Sequence, residues 1–444
     1  MFSPRHMIRH AVAVRGPFLL LLPMVMSFPA NAIAQSSDTP SVWLRRVIIR
    51  GNEVTRPEVI LREMGLRKGD PVTPEGREQD RERIYNLQIF NRVGMDQHVV
   101  GDSVDLYVSV DERWYFYPFP VLGIRHRDWN KWVYGVGVTH QNLGGWNQKL
   151  FAEAATGYDQ WVTLNFRNPR FLGTDDYYFG LQTQYADLRP LSLDGSEYQQ
   201  EVWLARVSLG KRFGYERTVV GTIGMESWRA PSGILRRTAA PEGRDVFLTA
   251  SVQFVDDQRY LREYPMEGSF VSLEFTKLGF GESAMNLAVL RADLRRYIPV
   301  WDDWTVAVRG YTHLVTGGVV PSYRHVFFGY EERIRGEFAK KYEGEGVFGG
   351  NFELRMPVLD AQYLEADFIP VRQFKTLRFG LFAALWMDVG KIWYRNQSPF
   401  LAPLHGGYGA GLHAILPYGL VARLDAGFDR FGVPDVVFDA GASF

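Results

Sequence analysis

The chain has 444 residues, 50 Lys+Arg against 50 Asp+Glu, no cysteine, 44 Gly, 23 Pro and 14% aromatics. The lack of cysteine excludes disulfides, zinc–thiolate and iron–sulfur sites and a cysteine nucleophile, and the balanced charge argues against a nucleic-acid or polybasic membrane-surface binder. An apolar fraction of 46% excludes a disordered chain, while abundant glycine and aromatics point to many strands and turns.

Arg5, Arg9 and Arg15 precede an apolar stretch from Pro17 to Phe28, which exits through Ala32-Ile33-Ala34. A basic start, a short apolar middle and a small-x-small exit predict a secretory signal peptide over residues 1–34, with a short linker over 35–41. The apolar stretch is about a dozen residues against the roughly 20 a spanning helix needs, so a membrane anchor is the weaker reading. The mature chain is expected to be exported.

Residues 42–112 have the pattern of a small α+β domain. Val42 through Arg50 reads as a strand ended by Gly51-Asn52. Thr55-Arg56-Pro57-Glu58 predicts a helix start, with Thr55 as N-cap and Glu58 completing a capping box; Gly65 is its stop. Thr73-Pro74-Glu75-Gly76 predicts a second helix with Pro74 at its first position. Two strands near 92–99 and 103–110, joined by Gly101-Asp102, close the unit. This β-α-α-β-β order, with Ile49-Arg50-Gly51-Asn52 early, Leu87-Gln88-Ile89-Phe90-Asn91-Arg92-Val93 late and Val108-Ser109-Val110-Asp111-Glu112 at the end, resembles a POTRA domain. Such domains usually carry Gly where this chain has Gln88. The resemblance implies a periplasmic domain offering an exposed strand edge to extended clients, since edge addition needs only backbone N–H and C=O groups. A small α+β domain without a client is the bland alternative.

From Arg113 to Phe444 the helical period gives way to short alternating segments. Val436, Phe438, Ala440, Ala442 and Phe444 share one face of the last segment, opposite Asp435, Val437, Asp439, Gly441 and Ser443. Leu420, Ala422, Leu424, Ala426 and Phe428 likewise oppose Arg423, Asp425, Gly427 and Asp429. Alternating segments of roughly ten residues with aromatics near their ends, such as Trp161, Trp203, Trp304 and Trp393, are the signature of an all-β transmembrane barrel over 113–444; a soluble sandwich is the alternative. About sixteen antiparallel strands are predicted, near 115–124, 132–140, 148–157, 160–167, 176–187, 199–213, 216–227, 245–256, 268–279, 287–297, 304–312, 346–356, 377–388, 405–416, 418–428 and 435–444.

The segment from about His313 to Glu345 is too long for a simple turn, so it is expected to be functional or folded inward. It holds Arg335-Gly336-Glu337-Phe338. Alternation places Phe352, Leu354 and Met356 outward and Glu353 in the lumen; Leu385 and Met387 outward put Asp388 inward as well. These segments resemble the BamA/TamA-like outer-membrane assembly superfamily, the surface antigen barrels. In that family a long extracellular loop enters the barrel, and the Arg-Gly at its tip, here Arg335-Gly336, meets acidic wall residues at positions matched by Glu353 and Asp388. A guanidinium fork suits two carboxylates, whereas any one of these charges alone is costly in a crowded lumen. One exposed loop arginine among many is the bland reading. Where the family carries an aromatic after Arg-Gly, this chain has Glu337. Val255-Asp256-Asp257-Gln258-Arg259 followed by Pro265-Met266-Glu267-Gly268-Ser269-Phe270 is similar to a further motif of such barrels.

No phosphate-cradling loop, H-E-x-x-H or G-x-S-x-G motif is found, so the protein is not expected to be an enzyme, and no cofactor or metal is implied. Lumen carboxylates such as Asp425, Asp429 and Asp439 read as lining charges rather than an acid/base pair. The resemblance implies assembly or insertion of β-barrel proteins in the bacterial outer membrane, with the edge near Tyr115–Ile124 parting from the last strand near Asp435–Phe444. Gly441 would weaken that seam. Implied partners are unfolded outer-membrane protein clients, the lipid bilayer and periplasmic or lipoprotein accessory subunits; no nucleic acid is expected. The alternative is a secretion channel passing its client through the lumen, and a plain porin is a third.

Overall fold

In the computed structural model, the residues described are 42–125, 128–190, 197–232, 236–281, 284–301, 303–329, 332–337 and 340–441. The expected signal peptide, the linker over 35–41, Phe338 and Phe444 lie outside them.

The small domain comprises β1 (Trp43–Arg50), α1 (Pro57–Leu61), α2 (Pro74–Tyr85), β2 (Phe90–Val100) and β3 (Ser103–Glu112). Its sheet has the order β1-β3-β2, with β1 parallel and β2 antiparallel to β3. Both helices cover this sheet through a core of Leu44, Ile60, Met64, Ile84, Phe90 and Leu106. Thr73 caps α2, its hydroxyl accepting from the Gly76 amide at 3.0 Å, and Pro74 opens the helix. The expected cap of α1 is corrected: the N-cap is Arg56, with no side-chain cap bond. Thr55 is buried, and its Oγ1 lies 2.9 Å from the Tyr115 hydroxyl and accepts from Asn142 Nδ2 at 2.9 Å. A buried hydroxyl takes the partners that tertiary packing brings, which local spacing does not reveal. Gln88 sits at φ +60°, the left-handed conformation that makes glycine usual at this position.

The remainder forms one antiparallel sheet of sixteen strands. In chain order these are β4 (Phe116–Ile124), β5 (Trp132–Leu143), β6 (Gln148–Gly157), β7 (Gln160–Asn168), β8 (Tyr177–Leu188), β9 (Gln200–Phe213), β10 (Arg217–Arg229), β11 (Arg244–Asp257), β12 (Gly268–Leu278), β13 (Leu287–Pro299) and β14 (Thr305–Gly317). After the short ribbon β15 (Val326–Phe328) and β16 (Tyr342–Gly344) come β17 (Gly346–Glu365), β18 (Thr376–Trp393), β19 (Leu404–Leu416), β20 (Leu420–Asp429) and β21 (Pro434–Gly441). Each predicted strand has its counterpart. β17 and β18 run longer than expected, at 20 and 18 residues: β17 continues to Glu365 through bulges between Pro357 and Gln362 that break the alternation, and β18 continues to Trp393 by pairing with the start of β17.

The sheet is apolar outside and charged inside. Val136, Leu209, Ile223, Leu248, Phe275, Leu385, Leu424 and Phe438 are exposed, whereas Glu226, Glu353, Arg355, Asp388, Asp425 and Asp429 are buried. That inversion suits a wall bathed in lipid, with Trp129, Trp132, Trp301 and Trp304 exposed at its ends. The fold is an all-β transmembrane barrel preceded by a small α+β domain.

The small domain is bolted to the rim formed by the turns after β5, β7, β9, β11, β17 and β19. The Arg56 amide donates to Gly145 O at 3.0 Å, and the Tyr215 hydroxyl to Met64 O at 2.6 Å. Arg212 grips Glu63 with two bonds of 2.8 and 2.6 Å, and Asn86 Nδ2 donates to Tyr260 O at 2.9 Å. Asn91 Nδ2 donates to Gln373 O at 2.6 Å, and Arg113 Nη1 to Tyr418 O at 3.2 Å.

Candidate functional site: a loop locked in the lumen and a seam in the wall

The connection between β14 and β17 enters the lumen. At its base Arg309 on β14 donates to Glu332 at 3.0 and 3.1 Å and to Asp293 on β13 at 2.9 and 3.2 Å. At its tip Arg335 reaches Asp388 on β18 through Nε at 2.8 Å, Nη2 at 2.9 Å and its own amide at 3.0 Å. Arg335 Nη1 donates to Glu353 on β17 at 2.8 Å and lies 3.6 Å from Asp425 on β20. Asn351 holds the same Asp388 carboxylate at 2.9 Å.

The backbone is fitted as closely as the charge. Gly336 has φ +83°, and a Cβ there would lie 2.5 Å from Phe428 O; a Cβ on Gly407 would lie 2.1 Å from Arg335 O. Glycines at both places therefore let the tip lie against β19 and β20. The Arg335 guanidinium also rests over the buried Trp386 ring, 4.6 Å from its centroid. Gly409 and Gly427 leave the slot for that indole, since a Cβ on either would come within 2.7 Å of it. Glu337 pairs with His405 at 3.1 Å, and Lys340 with Asp429 at 2.7 Å.

The structure thus brings Arg335, Gly336, Glu353 and Asp388 together. It adds Asp425, which the sequence reading took for a lining charge, and Trp386, Arg355 and His413, which it left out of the lock. Arg355 Nε donates to Glu353 at 2.7 Å, and His413 Nε2 lies 3.2 Å from Asp425. The inward parity of Asp425 was readable, but which inward residues face one loop tip depends on the path of the loop.

The seam residues are placed differently from one another. Ile124 pairs with Trp132 at the far end of β4, Asp435 with Gly427 and Gly441 with Val421 on β21. Tyr115 precedes β4, is buried in the core of the small domain, and anchors the junction rather than the seam edge. β4 and β21 end the sheet, and no ladder joins them among the described residues. They have 9 and 8 residues. β4 also holds Pro118 and Pro120 within a register unbroken from Phe116↔His140 to Ile124↔Trp132. In an antiparallel ladder alternate residues turn their N–H to the partner, and a proline cannot stand where that donor is needed. Both prolines therefore present their missing donor to the seam. Two prolines two apart in a strand pattern are a readable mark of an edge strand.

Fold and site define a transmembrane barrel with a small domain on one rim, a loop locked within and a donor-poor seam. Residues 44–113 match the POTRA family, described as Surface antigen variable number repeat. Outer membrane protein assembly factor BamA of Nitratidesulfovibrio vulgaris (strain Hildenborough) is 34% identical over 67 residues, 15% of this chain. The match spans only 8% of that relative's length. BamA from Haemophilus ducreyi lacking POTRA domains 1–3 is similar in structure, with TM-score 0.53 and 16% identity over 90% of this chain and 83% of that one. CdiB from Escherichia coli is similar at TM-score 0.58 and 11% identity, covering 91% and 77%. At such identities the likeness is one of fold. The chain thus holds a POTRA domain over residues 44–113, followed by a barrel similar in fold to those of BamA and CdiB.

Proposed function

We propose that this protein resides in the bacterial outer membrane, with its POTRA domain in the periplasm, and inserts or assembles β-barrel proteins there by offering its lateral seam to client strands. The observation that carries this reading is the pair of sheet ends, β4 and β21, unjoined by a ladder among the described residues, with Pro118 and Pro120 on the β4 edge. A bare N–H in lipid costs several kcal/mol, so an edge that lacks donors is cheaper to leave open. A client strand can enter beside it and exchange bonds with the groups that remain. The free edge of β2, exposed from Asp96 to Val100, supports a first capture of extended client chain in the periplasm. The buried loop lock would brace the wall while the seam parts. No catalysis and no cofactor enter this mechanism; unfolded clients, lipid and accessory periplasmic or lipoprotein subunits are its partners.

The test uses purified protein in liposomes with a urea-denatured client barrel, following client folding by gel mobility with and without heating. Acceleration over empty liposomes, reduced in Arg335→Ala, is the expected result. No acceleration of two or more clients by well-folded protein overturns the reading and leaves passage of an extended client through the lumen as the function to pursue.

A further inference from the structure

The turn between β11 and β12 carries the Asp257-Gln258-Arg259 and Pro265-Met266-Glu267-Gly268 motifs, which lateral opening does not use. Its base is rigid. Asp257 accepts from Arg259 at 2.7 and 3.0 Å, and Gln258 and Tyr260 donate their amides to Ser269 O and Glu267 O. Gly268 closes it at φ +103°, where a Cβ would lie 2.2 Å from Gln258 O.

One side of this turn belongs to the POTRA domain. Besides the bond from Asn86 to Tyr260 O, the Arg262 amide donates to Asn86 Oδ1 at 3.0 Å. The Tyr85 hydroxyl donates to Glu263 at 3.1 Å, and Leu261 packs on the domain's core. The other side enters the lumen. Tyr264 is buried, with its hydroxyl 2.8 Å from His413 Nδ1 and its ring 4.7 Å from that of Phe382. Arg355 donates to Pro265 O at 2.6 Å and lies 4.3 Å above the Tyr264 ring.

Two arms then rise to one nitrogen. Pro265 O, Arg355 and Glu353 lead to Arg335 Nη1, and Tyr264, His413 and Asp425 lead to the same Nη1. We infer that the turn 258–267 is a coupler, so that displacement of the POTRA domain and release of the Arg335 loop are one linked transition. Arg355 is fully buried between the Tyr264 and Tyr297 rings, and withdrawal of the turn takes away its Pro265 carbonyl partner and the Tyr264 ring. The guanidinium then leans more heavily on Glu353, the carboxylate that also holds Arg335. Buried ionic networks respond in this way because each member's desolvation is offset only by the others. Linkage makes the effect reciprocal: freeing the loop loosens the docked domain. The inference concerns the protein without client, so it stands or falls separately from the insertion reading.

The chain has no cysteine, so single reporters are clean. Ile334, buried beside Arg335, becomes the loop reporter as Ile334→Cys, followed by maleimide labelling of full-length protein in detergent. Docking is followed in a separate protein by the rate at which a bis-maleimide joins Glu53→Cys to Arg372→Cys, which replace an ion pair of 2.7 Å between long side chains across the domain–rim contact. Asn86→Ala, or Tyr85→Phe if that variant does not fold, is expected to slow the crosslink and to speed loop labelling by about fivefold or more, the lower range of allosteric coupling. Tyr264→Phe should speed labelling similarly, and the combination with Asn86→Ala should add little beyond either alone. Loop labelling at the unmodified rate despite a slowed crosslink, or effects that multiply in the double variant, overturns the coupler.

Discussion

Arg335 and Gly336 seat the loop by different physics, so their substitutions separate charge from backbone. Gly336→Ala keeps every charge but places a Cβ at φ +83° and 2.5 Å from Phe428 O. A left-handed L-residue alone costs about 1–2 kcal/mol, and the close approach adds to it. Trypsin cleavage at Arg333, Lys340 or Lys341 is therefore expected to accelerate at least several-fold in Gly336→Ala; unchanged cleavage would mean the tip tolerates the displacement. Gln88 presents the opposite case. Its side chain is exposed while its backbone sits at φ +60°. Gln88→Gly should raise POTRA stability by about 0.5–1 kcal/mol, the left-handed strain less the added freedom of the unfolded chain. A lower urea midpoint would show that the side chain contributes something the backbone argument omits. Alternation alone placed Glu353 and Asp388 in the lumen, because strand parity is local. Tyr264 and the Thr55 hydroxyl were not legible, since a turn and a junction have no period to read.

At the level of elements, strand count and order followed from the two-residue period, and so did the inside-out character of the wall. The bulged extension of β17 was lost where the period breaks. The prolines of β4 carried a signal of their own, and it bears on a measurable property. Pro118→Val with Pro120→Val restores two donors to the seam edge. In lipid each unpaired donor costs several kcal/mol, so the restored edge favours pairing with β21. The double variant is expected to resist heat better on gels, as a more fully closed barrel, and to insert clients several-fold more slowly. Equal insertion with an unchanged heat shift would show that these prolines do not govern the seam.

For the whole molecule, the docked POTRA domain carries two buried carboxylates whose titrations oppose each other. Burial pushes Glu82 up to about 7, with Arg81 only partly offsetting it. Burial would also raise Glu63, but the hydrogen bonds and charge of Arg212, with the charges of Arg62 and Arg262, hold it below its usual value. For Glu82 the folded form takes up the proton first, so stability is gained as pH falls from about 7 toward the ordinary carboxylate range near 4.3 and is lost again as pH rises. For Glu63 the sign is reversed: its contribution is complete above about 4.3 and disappears as pH falls through its depressed folded value. The folded, docked domain should therefore be most stable in mild acid. Glu82→Gln is expected to raise its thermal midpoint in detergent at pH 8, equivalent to about 1–3 kcal/mol, and to change little at pH 5. Glu63→Gln should lower it at pH 8 by breaking a bidentate pair of 2.8 and 2.6 Å, and should remove the acid limb of the profile. A midpoint that rises steadily from pH 5 to pH 8 in the unmodified protein would show that Glu82 is not held protonated. An acid limb that survives Glu63→Gln would place the acid-labile contact elsewhere on the rim.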